Sequence, residues 1–264
     1  MTFRSNLHTH STFCDGKADM EDFVKTAIDK RFVSLGFSSH GPQSFDPHCC
    51  LKKERTQEYI EKIDSLKQKY SGSIEIYAGI EKDFYGNEID FPTDYVIGAV
   101  HYVEIEGGYY CIDRDQQELD NAVKAAGGIE QVVELYYDTI IRCVESKPDI
   151  LAHIDMIKMY GGHYFSGQEK WYRQMVCTAI NSMEDVITEV NTGGIYRGYI
   201  NSLYPDDFIL KHMAERQIPI TLSSDAHQTS ALDGYYDKAL EIIKNAGFRS
   251  IKIMQGGGFT DQEL

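Results

Sequence analysis

The chain has 264 residues, 42% of them hydrophobic and 25% charged, with a formal net charge of −15. That length and apolar content are enough for one barrel-sized domain over residues 1–264, and they exclude a disordered chain. The acidic balance argues against nucleic acid and anionic membrane as partners and favours a small substrate, although bound cations would make a local site positive.

No basic and apolar leader opens the sequence, and no apolar run approaches the ~20 residues of a membrane span, so a cytoplasmic protein is expected. Cys14, Cys49, Cys50, Cys111, Cys143 and Cys177 lack CxxC spacing and read as free thiols of a reducing compartment. The first apolar run ends at Leu7 and leads into His8-Thr9-His10. Side chains two apart share a face of extended backbone, so both imidazoles can meet one cation. Asp15-Gly16 follows, then a helical pattern over Met20–Phe32 and the strand-like Ser34–Phe37, which leads into His40. A second helical pattern covers Glu54–Tyr70, after which Ile74–Ile80 runs into Glu81 and Tyr95–Val100 into His101. Glu106–Asp113 reads as a Gly-containing turn with aromatics and an acid.

Ile129–Val144 carries the clearest helical spacing, with Val132, Val133, Tyr136, Tyr137, Ile140 and Ile141 on one face. Ile150-Leu151-Ala152 then precedes His153, a helical pattern spans Gln168–Met183, and Val186–Val190 precedes Asn191. Further helical patterns over Asp206–Arg216 and Tyr235–Ala246 bracket Ile218–Leu222, which leads into Asp225-Ala226-His227. Gly256-Gly257-Gly258 reads as a flexible terminus.

Alternating strands and helices imply a parallel sheet with helices outside. Polar candidates after nearly every strand favour a closed barrel, because only there do all strand C-terminal ends converge on one face. No GxGxxG or Walker motif and no internal repeat competes with that reading. A lone histidine after a strand is usually an ordinary hydrogen-bonded residue, but the ordered set outweighs that reading. His163 and His212 carry no motif and read as surface residues, and His48 as a loop residue.

The ordered set His8-x-His10, Asp15-Gly16, His40, Glu81, His101, His153 and Asp225-x-His227 resembles the polymerase and histidinol phosphatase (PHP) superfamily. The resemblance spans most of the chain. It implies an α/β fold, a distorted TIM-like (β/α)7 barrel, with three divalent metal ions (zinc, manganese or iron). His8, His10, Glu81 and Asp225 would hold one, Glu81 would bridge to a second on His101 and His153, and Asp15, His40 and His227 would take the third. Many relatives carry histidine where this chain has Asp15, and the harder oxygen ligand tilts that position toward manganese or iron. Glu81, Asp225 and His227 would carry the catalytic roles. Two metals roughly 3.5–4 Å apart supply hydroxide at neutral pH and offset phosphoryl charge, which suits in-line attack of metal-bound hydroxide on phosphorus.

For the substrate, Arg197 follows a predicted strand and can grip phosphate with its planar fork, and Lys158 is a weaker phosphate candidate. The Glu106–Asp113 stretch looks like the insertion of the histidinol-phosphatase branch, where Asp113 or Glu118 would meet a cationic amine. The branch implies hydrolysis of L-histidinol phosphate to L-histidinol and phosphate in histidine biosynthesis. A nucleotide phosphoesterase or 3′–5′ exonuclease of the same fold is the alternative, and would show a cationic track to the metals. A metal-binding module without catalysis is the second alternative.

Overall fold

A computed structural model describes residues 4–264. Strand β1 (Arg4–Asn6) is followed by α1 (Met20–Asp29), β2 (Phe32–Phe37), α2 (Thr56–Lys69), β3 (Glu75–Asp83) and β4 (Tyr95–Ala99). A hairpin, β5 (Tyr102–Ile105) and β6 (Gly108–Cys111), interrupts the rhythm before α3 (Gln116–Ala126), α4 (Ile129–Glu145) and β7 (Ile150–Leu151). Next come the short α5 (Lys158–Gly161), α6 (Lys170–Ile180), β8 (Ile187–Asn191), the short α7 (Gly193–Arg197), α8 (Asp207–Glu215) and β9 (Ile220–Ser223). The chain ends in α9 (Tyr236–Ala246) and the hairpin β10 (Ser250–Gln255) and β11 (Gly258–Glu263).

Seven strands form one parallel sheet in the order β1-β2-β3-β4-β7-β8-β9. The two edges meet through a parallel bridge between Thr9 and Ala226, which makes the sheet a nearly closed barrel ringed by helices. Strands buried on both faces are mostly apolar, as in β2, β3 and β4, whereas β1 is Arg-Ser-Asn and its buried Ser5 and Asn6 are hydrogen-bonded to Ser34 (2.7 Å) and Ser224 (2.7 Å). Outside the barrel, residues such as Phe23, Ile63, Tyr136, Val176 and Leu210 form the core between sheet and helices. Inside it, Leu7, Tyr77, Tyr95, Ile97, Ile150 and Met254 fill the axis.

Several expectations shift. The helix expected over Met20–Phe32 ends at Asp29, because Arg31 takes a left-handed backbone (φ 60°) and Phe32 opens β2. Helix α3 has no counterpart in the sequence reading, since it buries only Leu119 and Ala122 and offers little apolar periodicity. The Gly256–Gly258 stretch is no loose terminus. Gly256 (φ 65°) and Gly257 (φ 81°) make the two-residue turn of the β10–β11 hairpin, a backbone that glycine adopts without steric cost. That turn donates its Gly256 and Gly257 N–H groups to Glu75 Oε2 (2.7 Å) and Tyr77 Oη (3.2 Å), so the hairpin caps the N-terminal end of the barrel. Among the described residues no helix is long and apolar enough to cross a membrane.

The Tyr95 ring lies across the barrel axis, and its hydroxyl donates to the carbonyl of Leu7. Gly36 and Gly79 make room for it, since a Cβ at either would overlap the ring. Gly79→Ala should therefore cost about 1–3 kcal/mol in urea unfolding, the usual range for overpacking a tight core. Tyr95→Phe should recover part of the loss for Gly36→Ala, whose clash falls on the hydroxyl, and less for Gly79→Ala, whose clash falls on ring carbon. Equal stabilities of Gly79→Ala and the parent would mean that the axis is loosely packed.

Candidate metal centre

The C-terminal ends of the barrel strands deliver nine side chains to one point: His8, His10, Asp15, His40, Glu81, His101, His153, Asp225 and His227. They fall into overlapping groups whose donor atoms lie within 4.8 Å of one another. The tightest arrangement surrounds Glu81, which is 1% exposed. Glu81 Oε2 lies 3.3 Å from His8 Nε2 and 3.4 Å from His10 Nε2, while Asp225 Oδ1 lies 3.6 and 3.2 Å from the same two nitrogens. A tetrahedral ion with bonds of ~2.0–2.1 Å places its ligands about 3.3 Å apart, so these four atoms have the spacing of a metal cage.

The other carboxylate oxygen of Glu81 faces a second set. Glu81 Oε1 is 3.1 Å from His153 Nε2 and 3.4 Å from His101 Nε2. A third set lies nearer solvent: Asp15 Oδ2 is 3.2 Å from His227 Nε2, and Asp15 Oδ1 is 3.7 Å from both His40 Nε2 and His10 Nδ1. His40 also stands 2.8 Å from Glu81 Oε2 through Nδ1, which ties the outer set to the inner one.

The donors fit divalent cations on a test internal to the molecule. His8 Nε2, His10 Nε2 and Glu81 Oε2 are buried and make no aligned hydrogen bond among the described residues. Leaving such groups unpaired costs several kcal/mol in total unless something coordinates them, at roughly 1–3 kcal/mol each. Two candidate ligands also hold unfavourable backbones, His153 at φ 23° and Asp225 at φ 50°. Strain of about 1–3 kcal/mol at each is the sort that functional sites retain.

Charges in the cluster shift one another. Burial would lower the His8 pKa, but Glu189, Glu81 and Asp225 raise it well above the imidazole range. Burial likewise opposes the positive forms of His101 and His40, and Glu81 in each case carries them upward. His10 goes the other way, to about 3, because burial and the neighbouring His227 and His40 disfavour its charge. Burial would raise Glu81 and Asp225; His8, His40 and His101 hold Glu81 well down, and Arg197 and His8 do the same for Asp225.

Beside the cluster opens a cavity of about 370 Å³ whose walls include Lys17, Tyr102, Asp113, Arg114, Met156 and Arg197. Arg197, at the end of α7, donates from Nη2 to Asp225 Oδ2 (2.9 Å) and from Nη1 to the Asp225 carbonyl (3.1 Å). Lys158 and Glu118 do not line this cavity. Lys158 is paired with Asp155 (2.6 Å) and Asp206 (3.0 Å), and Glu118 sits in the first turn of α3, its N–H capped by Asp115. His48 and His163 are exposed, and His212 faces Glu215 at 3.6 Å. The cysteine beside the cluster, Cys14, has its Sγ 3.4 Å from His10 Nδ1, and burial raises its pKa to about 11, keeping it a thiol.

Two carboxylates behind the imidazoles escaped the sequence reading. Asp83 accepts the His101 N–H at 2.9 Å and lies 3.4 Å from His101 Nδ1, and Glu189 contacts His8 at 2.6 Å. Glu189 was visible as an acid inside the apolar run Val186–Val190, a placement that demands a partner, whereas Asp83 lies past the run Ile74–Ile80 with nothing to mark it. Lys17 and Arg114, which line the cavity, stood in loops with no pattern to mark them.

The PHP domain family model matches residues 6–193 of this sequence. The chain belongs to the PHP family. The matched span stops before Asp225 and His227, which the fold returns to the same centre. The histidinol-phosphatase of Bacillus subtilis (strain 168) is 28% identical over 260 residues, covering 89% of this PHP chain and 97% of that protein. Among solved structures, HisK from Listeria monocytogenes superposes with a TM-score of 0.79 at 22% identity, covering 89% of this chain and 99% of the other. Histidinol phosphate phosphatase from Lactococcus lactis, complexed with zinc, L-histidinol and phosphate, gives 0.71 at 19% identity, covering 97% and 98%. Both share the barrel described above.

Protons and cations should compete for this cluster. His8, His40 and His101 keep their protons above the ordinary imidazole range in the metal-free protein, and a proton must leave before a nitrogen can coordinate. Affinity for Zn²⁺ or Mn²⁺ should therefore rise with pH and go on rising above the ordinary imidazole range, with proton release on loading. Calorimetry in buffers of different ionisation enthalpy measures that release. Binding that is pH-independent and proton-neutral would remove these histidines from the ligand set.

Proposed function

We propose that residues 1–264 act as one PHP phosphoesterase domain that hydrolyses a small phosphate monoester, L-histidinol phosphate, to L-histidinol and phosphate. The observation that carries this reading is the pair of donor sets sharing the two oxygens of Glu81 at the edge of a cavity with cations beside the cluster. Divalent ions bound there, three in this reading, would supply an acidified water and positive charge for the phosphoryl oxygens. His8, His10, Glu81 and Asp225 would hold one, Glu81 with His101 and His153 the next, and Asp15, His40 and His227 the outermost.

The chain's own groups then orient the ester. Arg197 and Lys17 supply positive charge to the phosphate at the mouth of the cluster. The Arg197 side chain is 26% exposed, lines the cavity and carries more N–H groups than Asp225 engages, so a phosphate oxygen can join without breaking the Asp225 pair. Asp113, also on the cavity wall, offers a carboxylate to the substrate's ammonium group. Water adds its oxygen to phosphorus as the ester P–O bond breaks, and the alcohol leaves with a proton. The relatives named histidinol-phosphatase support this choice of ester, as does a cavity carrying both signs of charge.

The test is a panel of phosphate monoesters on metal-loaded protein. Histidinol phosphate should lead in kcat/KM. A mononucleotide ahead by about tenfold, ~1.4 kcal/mol of transition-state discrimination, would overturn the choice of substrate, and binding without turnover across the panel would overturn catalysis. Glu81→Ala should abolish turnover and lower the number of metal ions retained, because it removes an oxygen from each of two donor sets. Arg197→Ala should raise KM at saturating metal. If instead only the metal requirement changes, Arg197 acts solely through Asp225.

A further inference from the structure

Glu189 is completely buried at the middle of β8 and lies outside every donor group of the metal cluster. Four donors point at it. Oε1 faces His8 Nδ1 at 2.6 Å and receives the Ser223 hydroxyl, while Oε2 accepts the His153 N–H at 3.1 Å and the Asn191 side-chain amide at 2.9 Å. Asn191 cannot reverse its amide to suit another partner, because its Oδ1 already accepts the Gly193 N–H at 2.7 Å. A group met by donors on both oxygens must be an acceptor throughout, so the ring proton of His8 belongs on Nδ1.

The consequence appears on the other side of the ring. Once the ring is neutral and keeps its one proton on Nδ1, the lone pair that His8 offers a cation is at Nε2, the atom that lies 3.3 Å from Glu81 and makes no hydrogen bond among the described residues. The same carboxylate holds the backbone N–H of His153, a residue kept at φ 23°. One side chain on β8 thus reaches ligands following β1 and β7, on opposite sides of it in the barrel, together with Ser223 of β9.

We propose that Glu189 is a positioning residue for the metal centre: it fixes the tautomer and aim of His8 and seats the backbone of His153. A carboxylate behind a ligating imidazole typically contributes 10–100-fold in metal affinity. The inference rests on the metal reading of the site but not on which ester the enzyme takes.

Glu189→Gln is the informative change, because its shape is conserved while its chemistry reverses. The NH₂ of the new amide cannot face the His153 N–H and the Asn191 amide, both donors. It must turn toward Ser223 and His8, where it needs an acceptor at Nδ1 and so drives the His8 proton to Nε2, into the cage. Titration with Co²⁺, followed by absorption and by metal retained after dialysis against chelator, should show one class of site weakened about 10–100-fold while the outermost class keeps the parent affinity.

In zinc-loaded parent protein labelled with ¹⁵N-histidine, correlation spectra should place the His8 ring proton on Nδ1. That measurement needs no variant to fold. Parent protein that binds no Co²⁺ or Zn²⁺ would sink the metal reading and the inference together. Parent protein that binds metal while Glu189→Gln binds it equally, or a His8 proton found on Nε2, would sink the inference alone. A variant with weakened sites and a parent proton on Nδ1 would establish it.

Discussion

The barrel closes on the residues that form its site. Ala226 donates its N–H to the His8 carbonyl (3.1 Å) and accepts the His10 N–H on its own carbonyl (2.9 Å), the hydrogen bonds of the bridge between the first and last strand regions. Ala226 is the middle residue of Asp225-x-His227, and Thr9, its bridge partner, the middle residue of His8-x-His10. The backbone groups of these segments therefore zip the seam while the flanking side chains turn to the cluster. Period-two alternation along extended chain makes that division of labour possible. A second bridge, His40 to Glu81, extends β2–β3 pairing in the same way and places two more ligand candidates side by side.

Closing the barrel there forces six imidazoles and three carboxylates into one small volume, much of it dry. The protein meets this electrostatic load in two ways. Pairing accounts for part of it: Arg197 against Asp225, Asp83 against His101, and Glu189 against His8. The remainder is left as unpaired lone pairs aimed at common points, which is unfavourable without cations and favourable with them. Metal loading and stability of this end of the barrel are thus linked, and the strained backbones of His153 and Asp225 are held by a framework whose other end is capped by the C-terminal hairpin.

What the sequence discloses follows from where the physical constraint is local. A parallel strand buried on both faces is mostly apolar, so most of the runs stand out and the polar residues just past them are conspicuous, whereas β1, Arg-Ser-Asn, is marked only by the His8-x-His10 pair that follows it. Convergence of those residues requires only closure of the sheet, and all nine candidates meet. Helix α3 was not legible because its interior contacts are few, and the Gly256-Gly257 turn because two glycines in a polar stretch look alike whether free or hairpin-forming. Lys158 shows the limit most clearly. Its position after His153 is compatible with phosphate binding, but only the spatial return of Asp206 beside Asp155 reveals that its charge is already engaged.

Depth separates the donor sets. The side chains of His8, Glu81 and His153 are at most 1% exposed, whereas His40 and His227 are 21% exposed and Asp15 is 33% exposed. Coulomb attraction strengthens as water is excluded, so a cation between the inner groups is held against little screening, while one beside Asp15 competes with solvent. The same gradient orders the cavity, whose walls join the outer set to Lys17 and Arg197. A ligand entering from solvent thus meets the exposed, exchangeable donors and the two cations first, and only then the enclosed pair of donor sets around Glu81. The exposure of Asp15, His40 and His227 is what leaves the cluster open to an incoming ligand, and the burial of Glu81 encloses the inner donors behind them.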